Sequence, residues 1–469
     1  TVQIYIAITN YDEYRLEDGR ETEASHERAM RLLHLYYSAA DRVIENSAAQ
    51  RVDFHSGRVH AVVLEPGREG VTRQTLAEAF AFVEDFKKVA AAANLELARS
   101  EFDAEFRIGI DVGTCVAINN GTGSEPEPMF LGSAANHAAK LAAGETLGIY
   151  VSDRVRRILG QEDVDFSREF LSLSESEVAL NSARRAADGS MVFGVQDRQS
   201  FTDGIVGNWR DEIRKGELPD FTDPKFTFFY KEPPLSEIVY SDLRPSHSIR
   251  MPLVSLFADL SGYTDYIDNA VRSEGIRDAV RALFVVRQEF QNVVEEDFGG
   301  RKVRFIGDCI HAVLAEGSKS QTDERGSVST ATMCAGGLHS SFALCKAVLG
   351  NLDSLGLAIG LELGPTPISR IGIRGDRSVR IASSIATTRS EQMQRDCEKN
   401  GVKLGPNALL VAPAALEDIL DGAGYSAEPD YGEIAVCLSA APATVASPTY
   451  ARAHVPTQTE TPRAHLKSE

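Results

Sequence analysis

The chain has no cysteine pair spaced for metal binding or redox exchange. Its six cysteines (Cys115, Cys309, Cys334, Cys345, Cys397 and Cys437) are scattered singly, mostly inside apolar runs. This argues against a disulfide scaffold or a zinc ribbon and makes a reducing cytoplasm the expected compartment. Long hydrophobic stretches are also missing: the apolar runs are of strand length, short of the ~20 residues that cross a bilayer. Positive charge is scarce, with 49 Lys and Arg against 68 Asp and Glu and a net charge of −19. Neither a nucleic-acid duplex nor an anionic membrane surface is therefore an expected partner. No signal-peptide pattern opens the chain, and a start at Thr1 rather than Met implies a missing initiator residue or leader.

What is present fits two domains with connectors: 469 residues, 43% of them hydrophobic, supply two ordinary cores. One order of elements can be read twice. In the first half a strand at 4–8 leads to a helix at 23–46. A hairpin at 51–64 turns at Ser56-Gly57, then come a helix at 73–93 and a strand at 106–112. The second half repeats this with a strand at 252–258, helix 274–296, hairpin 302–314, helix 328–349 and strand 357–363. The order is ferredoxin-like and the class α+β.

The residues repeat as well. Arg51-Val52-Asp53-Phe54 and His60-Ala61-Val62 return as Lys302-Val303-Arg304-Phe305 and His311-Ala312-Val313. At the same offset, Ile108-Gly109 and Gly113 return as Ile359-Gly360 and Gly364, and with a one-residue gap Tyr11 and Tyr14 meet Tyr263 and Tyr266. Several blocks at one offset imply a duplicated domain. The expected division is 1–195, a connector at 196–250, a second domain at 251–439, and a disordered tail at 440–469.

The differences between the copies carry the chemistry. In the second copy Asp259 and Asp308 each end an apolar run, where two carboxylates suit hard divalent cations such as Mg²⁺ or Mn²⁺, two ions in all. The residues after the first, Leu260, Ser261, Gly262, Tyr263 and Thr264, include small ones that let backbone N–H groups approach a triphosphate. In the first copy Ala7 and Gly57 stand in those places. That copy instead offers Asn136 and Lys140, one helical turn apart on one face. Ungapped matching sets Ala386 and Ser390 opposite them. Metal ligands in one half and a polar pair in the other imply a single composite site.

These motifs resemble class III nucleotidyl cyclases over roughly 1–155 and 250–395. More closely, Arg51 to Ser56, Leu131-Gly132 with Asn136 and Lys140, and Val303 to Asp308 are similar to the tandem pyrimidine cyclases of bacterial Pycsar antiphage systems. The resemblance implies two tandem cyclase domains of βααβαββ type, paired head to tail as an intramolecular pseudodimer, in a monomer or a homodimer. It implies that Asp259 and Asp308 hold metal and that Asn136 positions the ribose. Lys140 stands where the family has a transition-state arginine, without that residue's fork for phosphate oxygens. Asp53 and Met129 fall at the two base-reading positions. The implied product is cCMP or cUMP, a second messenger for a separate effector with a cyclic-nucleotide-binding domain.

Base choice rests on Asp53. A carboxylate only accepts hydrogen bonds, which suits the cytosine N4 amino group or the N1–H and N2–H of guanine. Uracil opposes it with O4 but still offers N3–H. Met129 would narrow the pocket to a single ring, and Arg51, expected on the same strand face, would orient Asp53 or reach the base carbonyl. CTP ranks first and UTP second, with guanylate cyclase or an inactive nucleotide-binding regulator as alternatives. A diguanylate synthase is disfavoured, because Gly299-Gly300 is followed by Arg301-Lys302 and not by an acidic pair. His55, His60, His137 and His311 lack zinc-ligand clustering and read as structural. Gly121-Thr122-Gly123 reads as hairpin chemistry, not as a phosphate loop.

Overall fold

The computed structural model describes residues 1–67, 69–97, 102–119, 127–161, 172–185, 191–193, 198–215, 224–373, 378–427, 429–440 and 463. Gly121 to Gly123 and nearly all of the tail lie outside the described residues. Two compact units emerge: unit 1 holds 1–119, 127–226 and 370–379, and unit 2 holds Thr227–Ser369 and the chain from Arg380 onward. Among the described residues no helix is long and apolar enough to cross a membrane.

Unit 1 begins with β1 (Val2–Ile8), α1 (Tyr11–Arg15), α2 (Glu23–Glu45), β2 (Ala49–His55), β3 (Arg58–Val63), α3 (Arg73–Leu97) and β4 (Phe106–Val112). It continues through β5 (Val116–Asn119), β6 (Pro128–Leu131), α4 (Ser133–Leu141), β7 (Gly148–Val151), α5 (Asp153–Leu159), β8 (Ser172–Leu173), α6 (Glu175–Asn181), β9 (Ala183–Arg185), β10 (Met191–Phe193) and α7 (Arg198–Arg214). The main sheet has the order β2-β3-β1-β4-β7-β8, with β1 antiparallel to β3 and β4. Strand alternation explains its two faces. Val2, Ile4 and Ile6 are buried on one side, where Tyr36 of α2 and Phe86 of α3 meet Phe106 edge-on. Gln3 and Tyr5 point to the other side, where His60 Nε2 donates to Gln3 Oε1 at 2.8 Å and its ring stacks on Tyr5.

Helix α4 lies on that second face, and two glycines of the repeated motif make room for it. A Cβ at Gly109 would stand 2.1 Å from the Ala138 carbonyl oxygen, and one at Gly113 would stand 3.0 Å from the Ala134 Cβ. Unit 2 repeats the device. There a Cβ at Gly360 would stand 2.0 Å from the Ser390 oxygen, and one at Gly364 3.0 Å from the Ala386 Cβ. The repeated glycines are thus helix-seating positions.

Unit 2 contains β11 (Phe228–Phe229), β12 (Ser248–Ser261), α8 (Tyr263–Arg272), α9 (Ile276–Asn292), β13 (Arg301–Ile306), β14 (Cys309–Leu314), β15 (Glu316–Gly317), β16 (Thr322–Asp323) and α10 (Glu324–Leu349). After these come β17 (Gly356–Ile371), β18 (Val379–Ala382), α11 (Ile385–Arg395), β19 (Gly401–Leu404), α12 (Pro406–Val411), β20 (Tyr425–Ser426) and α13 (Tyr431–Ala440). The path β13-β14-β12-β17-β19-β20 matches that of unit 1, with β11 and β18 added at its sides. The expected helix at 274–296 begins at Ile276 and finishes in a π-helical turn, Val293–Asp297. The paired histidine recurs here too: His311 stacks on Phe257 and lies 3.2 Å from Ser255 Oγ. Both strand histidines are structural.

Glu65, just past β3, organises the loop into α3. It accepts from the Gly67 and Thr72 N–H groups at 3.1 and 2.9 Å and from the Thr72 and Thr75 hydroxyls. Burial alone would push its carboxyl up, but these donors outweigh it and hold it at about 2. A folded value below the unfolded one means the stabilisation is present above the ordinary glutamate value and is lost as pH falls toward about 2. Glu65→Gln is expected to lower the thermal midpoint at pH 7 by roughly 2–4 °C. In circular-dichroism melts the gap to the parent chain should narrow once the pH drops below 4.5; a gap unchanged with pH would contradict the assignment.

Candidate active site

The two aspartates of unit 2 come together. Asp259 lies near the end of β12, in register with Ala358 of β17, and Asp308 sits in the Gly307-Asp308 turn between β13 and β14. Both are half-buried, and they are hydrogen-bonded to each other. Burial pushes Asp259 up to about 6, against the Asp308 hydrogen bond and the positive charge of Arg395. Burial and the neighbouring Asp259 charge push Asp308 well above the carboxylate range, and Arg287 only partly offsets them. Two carboxyls this close share a proton when no cation is present. Past them, Gly262 adopts a left-handed φ of 84° as the N-cap of α8. Leu260 and Tyr263 are buried, and Ser261 and Thr264 are half-buried. As at any helix start, the first N–H groups of α8 find no acceptor within the helix itself, and such a terminus suits an anion.

In unit 1 the turn equivalent to Asp308 is Ser56-Gly57, and Ala7 occupies the Asp259 position, in register with Arg107 as Asp259 is with Ala358. Its polar groups lie on α4. Ala134, Ala135 and Ala138 are buried against the sheet, which leaves Asn136 half-buried and Lys140 exposed on the outward side. The glycine contacts correct the matching of the two helices. Ala138 and Ser390 occupy the same seat, so the counterparts of Asn136 and Lys140 are Thr388 and Gln392, not Ala386 and Ser390. The link before α11 is longer, so its N-cap is Ser384 where that of α4 is Gly132. Ala386 and Ser390 face inward, Ser390 donating to Ser255 Oγ at 2.8 Å. Unit 2 lacks the Asn/Lys pair under either matching.

Asp53 is on β2, in register with His60. His55 Nδ1 lies 2.8 Å from its Oδ2. Arg51 departs from expectation. A bulge between Arg51 and Asp53 places Arg51 opposite Ala61, so it shares a face with Phe54 and not with Asp53. Its guanidinium lies 4.3 Å from the Phe54 ring and 3.2 Å from Asp41 of α2. Met129 is buried on β6, which packs near β2. Sequence reasoning missed Asp111 and Arg154, which form a bidentate ion pair beside α4. The available signal was an aspartate inside the apolar strand Phe106–Val112.

No family model matches the chain. A uridylate cyclase from a Rhizobium species is 40% identical over 447 residues, covering 94% of this chain and 84% of that protein. A uridylate cyclase from Pseudomonas aeruginosa is 34% identical over 452 residues, covering 93% and 83%. Among solved structures, a class III adenylyl cyclase-like ATP-binding protein from Pseudomonas aeruginosa superposes with a TM-score of 0.82 at 33% identity, covering 93% of this chain and 90% of that one.

Proposed function

Since the chain belongs to the class III nucleotidyl cyclases, among the pyrimidine cyclases, we propose that it closes UTP to 3′,5′-cyclic UMP with loss of pyrophosphate. The observation that carries this is the hydrogen-bonded pair Asp259 and Asp308, present in one unit only, in a chain similar along its length to two uridylate cyclases. The pair fits Mg²⁺ or Mn²⁺: both donors are hard oxygens, and the burial that disfavours their charged forms, joined at Asp308 by the Asp259 charge, is what a divalent cation offsets. When bound, such ions lower the pKa of an attacking hydroxyl and neutralise charge on a leaving pyrophosphate.

The remaining roles belong to side chains and backbone. Asn136 holds the ribose so that its 3′-hydroxyl lies in line with the α-phosphorus, and Lys140 stabilises the charge that develops there. The α8 N–H groups receive the triphosphate. Asp53 accepts from the base, while Met129 limits the pocket to one ring. Through the same resemblance, the cyclic nucleotide acts as a messenger for a separate effector in antiphage defence.

CTP is the second choice, because an acceptor-only Asp53 suits the cytosine N4 amino group better than uracil O4. The names of the relatives move UTP ahead of it. The test is incubation of the purified chain with Mg²⁺ or Mn²⁺ and each ribonucleoside triphosphate in turn, with products identified by mass spectrometry. Cyclic UMP supports the proposal, cyclic CMP reverses the ranking, and cyclic AMP or GMP alone would refute a pyrimidine site. Asp53→Ala is expected to lower kcat/KM for the preferred nucleotide by about 10–100-fold, the worth of a charged hydrogen bond. An unchanged value would remove Asp53 as base reader.

A further inference from the structure

One guanidinium ties three elements of unit 1 together. Arg154, at the start of α5, sets its fork on Asp111 of β4, with Nε 3.1 Å from Oδ1 and Nη2 on Oδ2. Asp111 is fully buried, and the Ser152 hydroxyl and the Val112 N–H complete its shell. The same guanidinium reaches the first turn of α4. Nη1 donates to Ser133 Oγ at 3.3 Å and Nη2 to His137 Nδ1 at 2.9 Å.

A guanidinium has donors only, so His137 Nδ1 accepts, and the neutral ring then carries its proton on Nε2. Nδ1 also lies 3.3 Å from Asp111 Oδ2, and Arg154 Nη2 hydrogen-bonds both atoms. The His137 side chain is 50% exposed. It follows Asn136 directly and precedes Lys140 by three residues. With Ala134, Ala135 and Ala138 turned to the sheet, Ser133, Asn136, His137 and Lys140 form the outward side of α4.

We infer that His137 is a third substrate-facing group on this helix, a neutral Nε2–H donor to phosphate oxygens of the nucleotide. Arg154 and Asp111 are positioning residues that fix its tautomer. The inference rests on the proposal that Asn136 and Lys140 meet the nucleotide. It assigns His137 a donor's role and not that of base for the 3′-hydroxyl, because its ring lone pair faces Arg154. A neutral donor also adds a phosphate contact beside Lys140 without a second cation to desolvate.

The test is steady-state kinetics on the full chain with UTP and Mg²⁺, together with ¹⁵N-histidine NMR. His137→Ala is expected to lower kcat/KM by roughly 10–100-fold. His137→Gln, whose amide nitrogen reaches the Nε2 position, should recover most of that loss. Arg154→Lys, which keeps a cation on Asp111 but loses the fork, should resemble His137→Ala. The resonance that disappears in His137→Gln should report a protonated Nε2 and a bare Nδ1, and should move on adding α,β-methylene UTP, which cannot release pyrophosphate. A protonated Nδ1 would overturn the inference. So would unchanged kcat/KM in His137→Ala while Asn136→Ala and Lys140→Ala are impaired. Full turnover in those last two variants would instead refute the role of the whole helix face.

Discussion

Replacing Asp259 or Asp308 with alanine is expected to cut turnover by roughly a thousandfold or more, the scale of losing a preorganised charge-stabilising group. The fold should survive, and in the absence of metal it should gain stability. A carboxyl whose folded pKa lies above its unfolded value contributes fully below the unfolded value, and that contribution is lost as pH rises through the folded one. Asp259, raised from 3.8 to about 6, and Asp308, raised well above the carboxylate range, therefore oppose folding at pH 7 to 8 when no cation is present. Asp308→Asn should relieve this and raise the metal-free melting temperature at pH 7 to 8. Mg²⁺ or Mn²⁺ should raise the melting temperature of the parent chain and leave that of the variant almost unchanged. Turnover retained in either alanine variant would remove the metal assignment. A metal-induced shift equal in parent and variant would do the same.

The duplicated architecture was legible because it rests on local pattern. The alternation Val2, Ile4, Ile6 marks a strand with one covered face, and Gly109 and Gly360 mark close approach in both copies. Asp259 and Asp308 were legible for a related reason, since a carboxylate after an apolar strand run has few structural uses. What stayed hidden depends on registers that no short window contains. The bulge at Val52 turns Arg51 toward Asp41 and Phe54, and it is fixed by hydrogen bonding to β3, not by residue type. The helix offset that pairs Asn136 with Thr388 is set by where α4 and α11 touch their glycines. Arg154 and Asp111 are separated by several intervening elements, so their meeting on His137 is a tertiary event.

The glycine seat under α4 connects that architecture to the chemistry, and Gly109→Ala should expose the connection. The new Cβ would stand 2.1 Å from the Ala138 oxygen and 2.6 Å from the Ala142 nitrogen, both backbone atoms that cannot rotate aside. Helix α4 must then lift from the sheet by about an ångström, at a cost of roughly 1–3 kcal/mol for overpacking. The outward side of the same helix carries Asn136 and Lys140, and a 1 Å misplacement of positioning groups costs about a hundredfold in rate. Stability loss alone does not produce that fall. Phe86→Leu serves as the control: Phe86 is buried in α3 against Phe106, on the sheet face away from α4. It should lose comparable stability while the folded fraction keeps its turnover. If both variants lose turnover only in proportion to their unfolded fraction, α4 does not position the reacting nucleotide. If Gly109→Ala alone falls further at full folding, the repeated glycine is a functional residue acting through backbone placement.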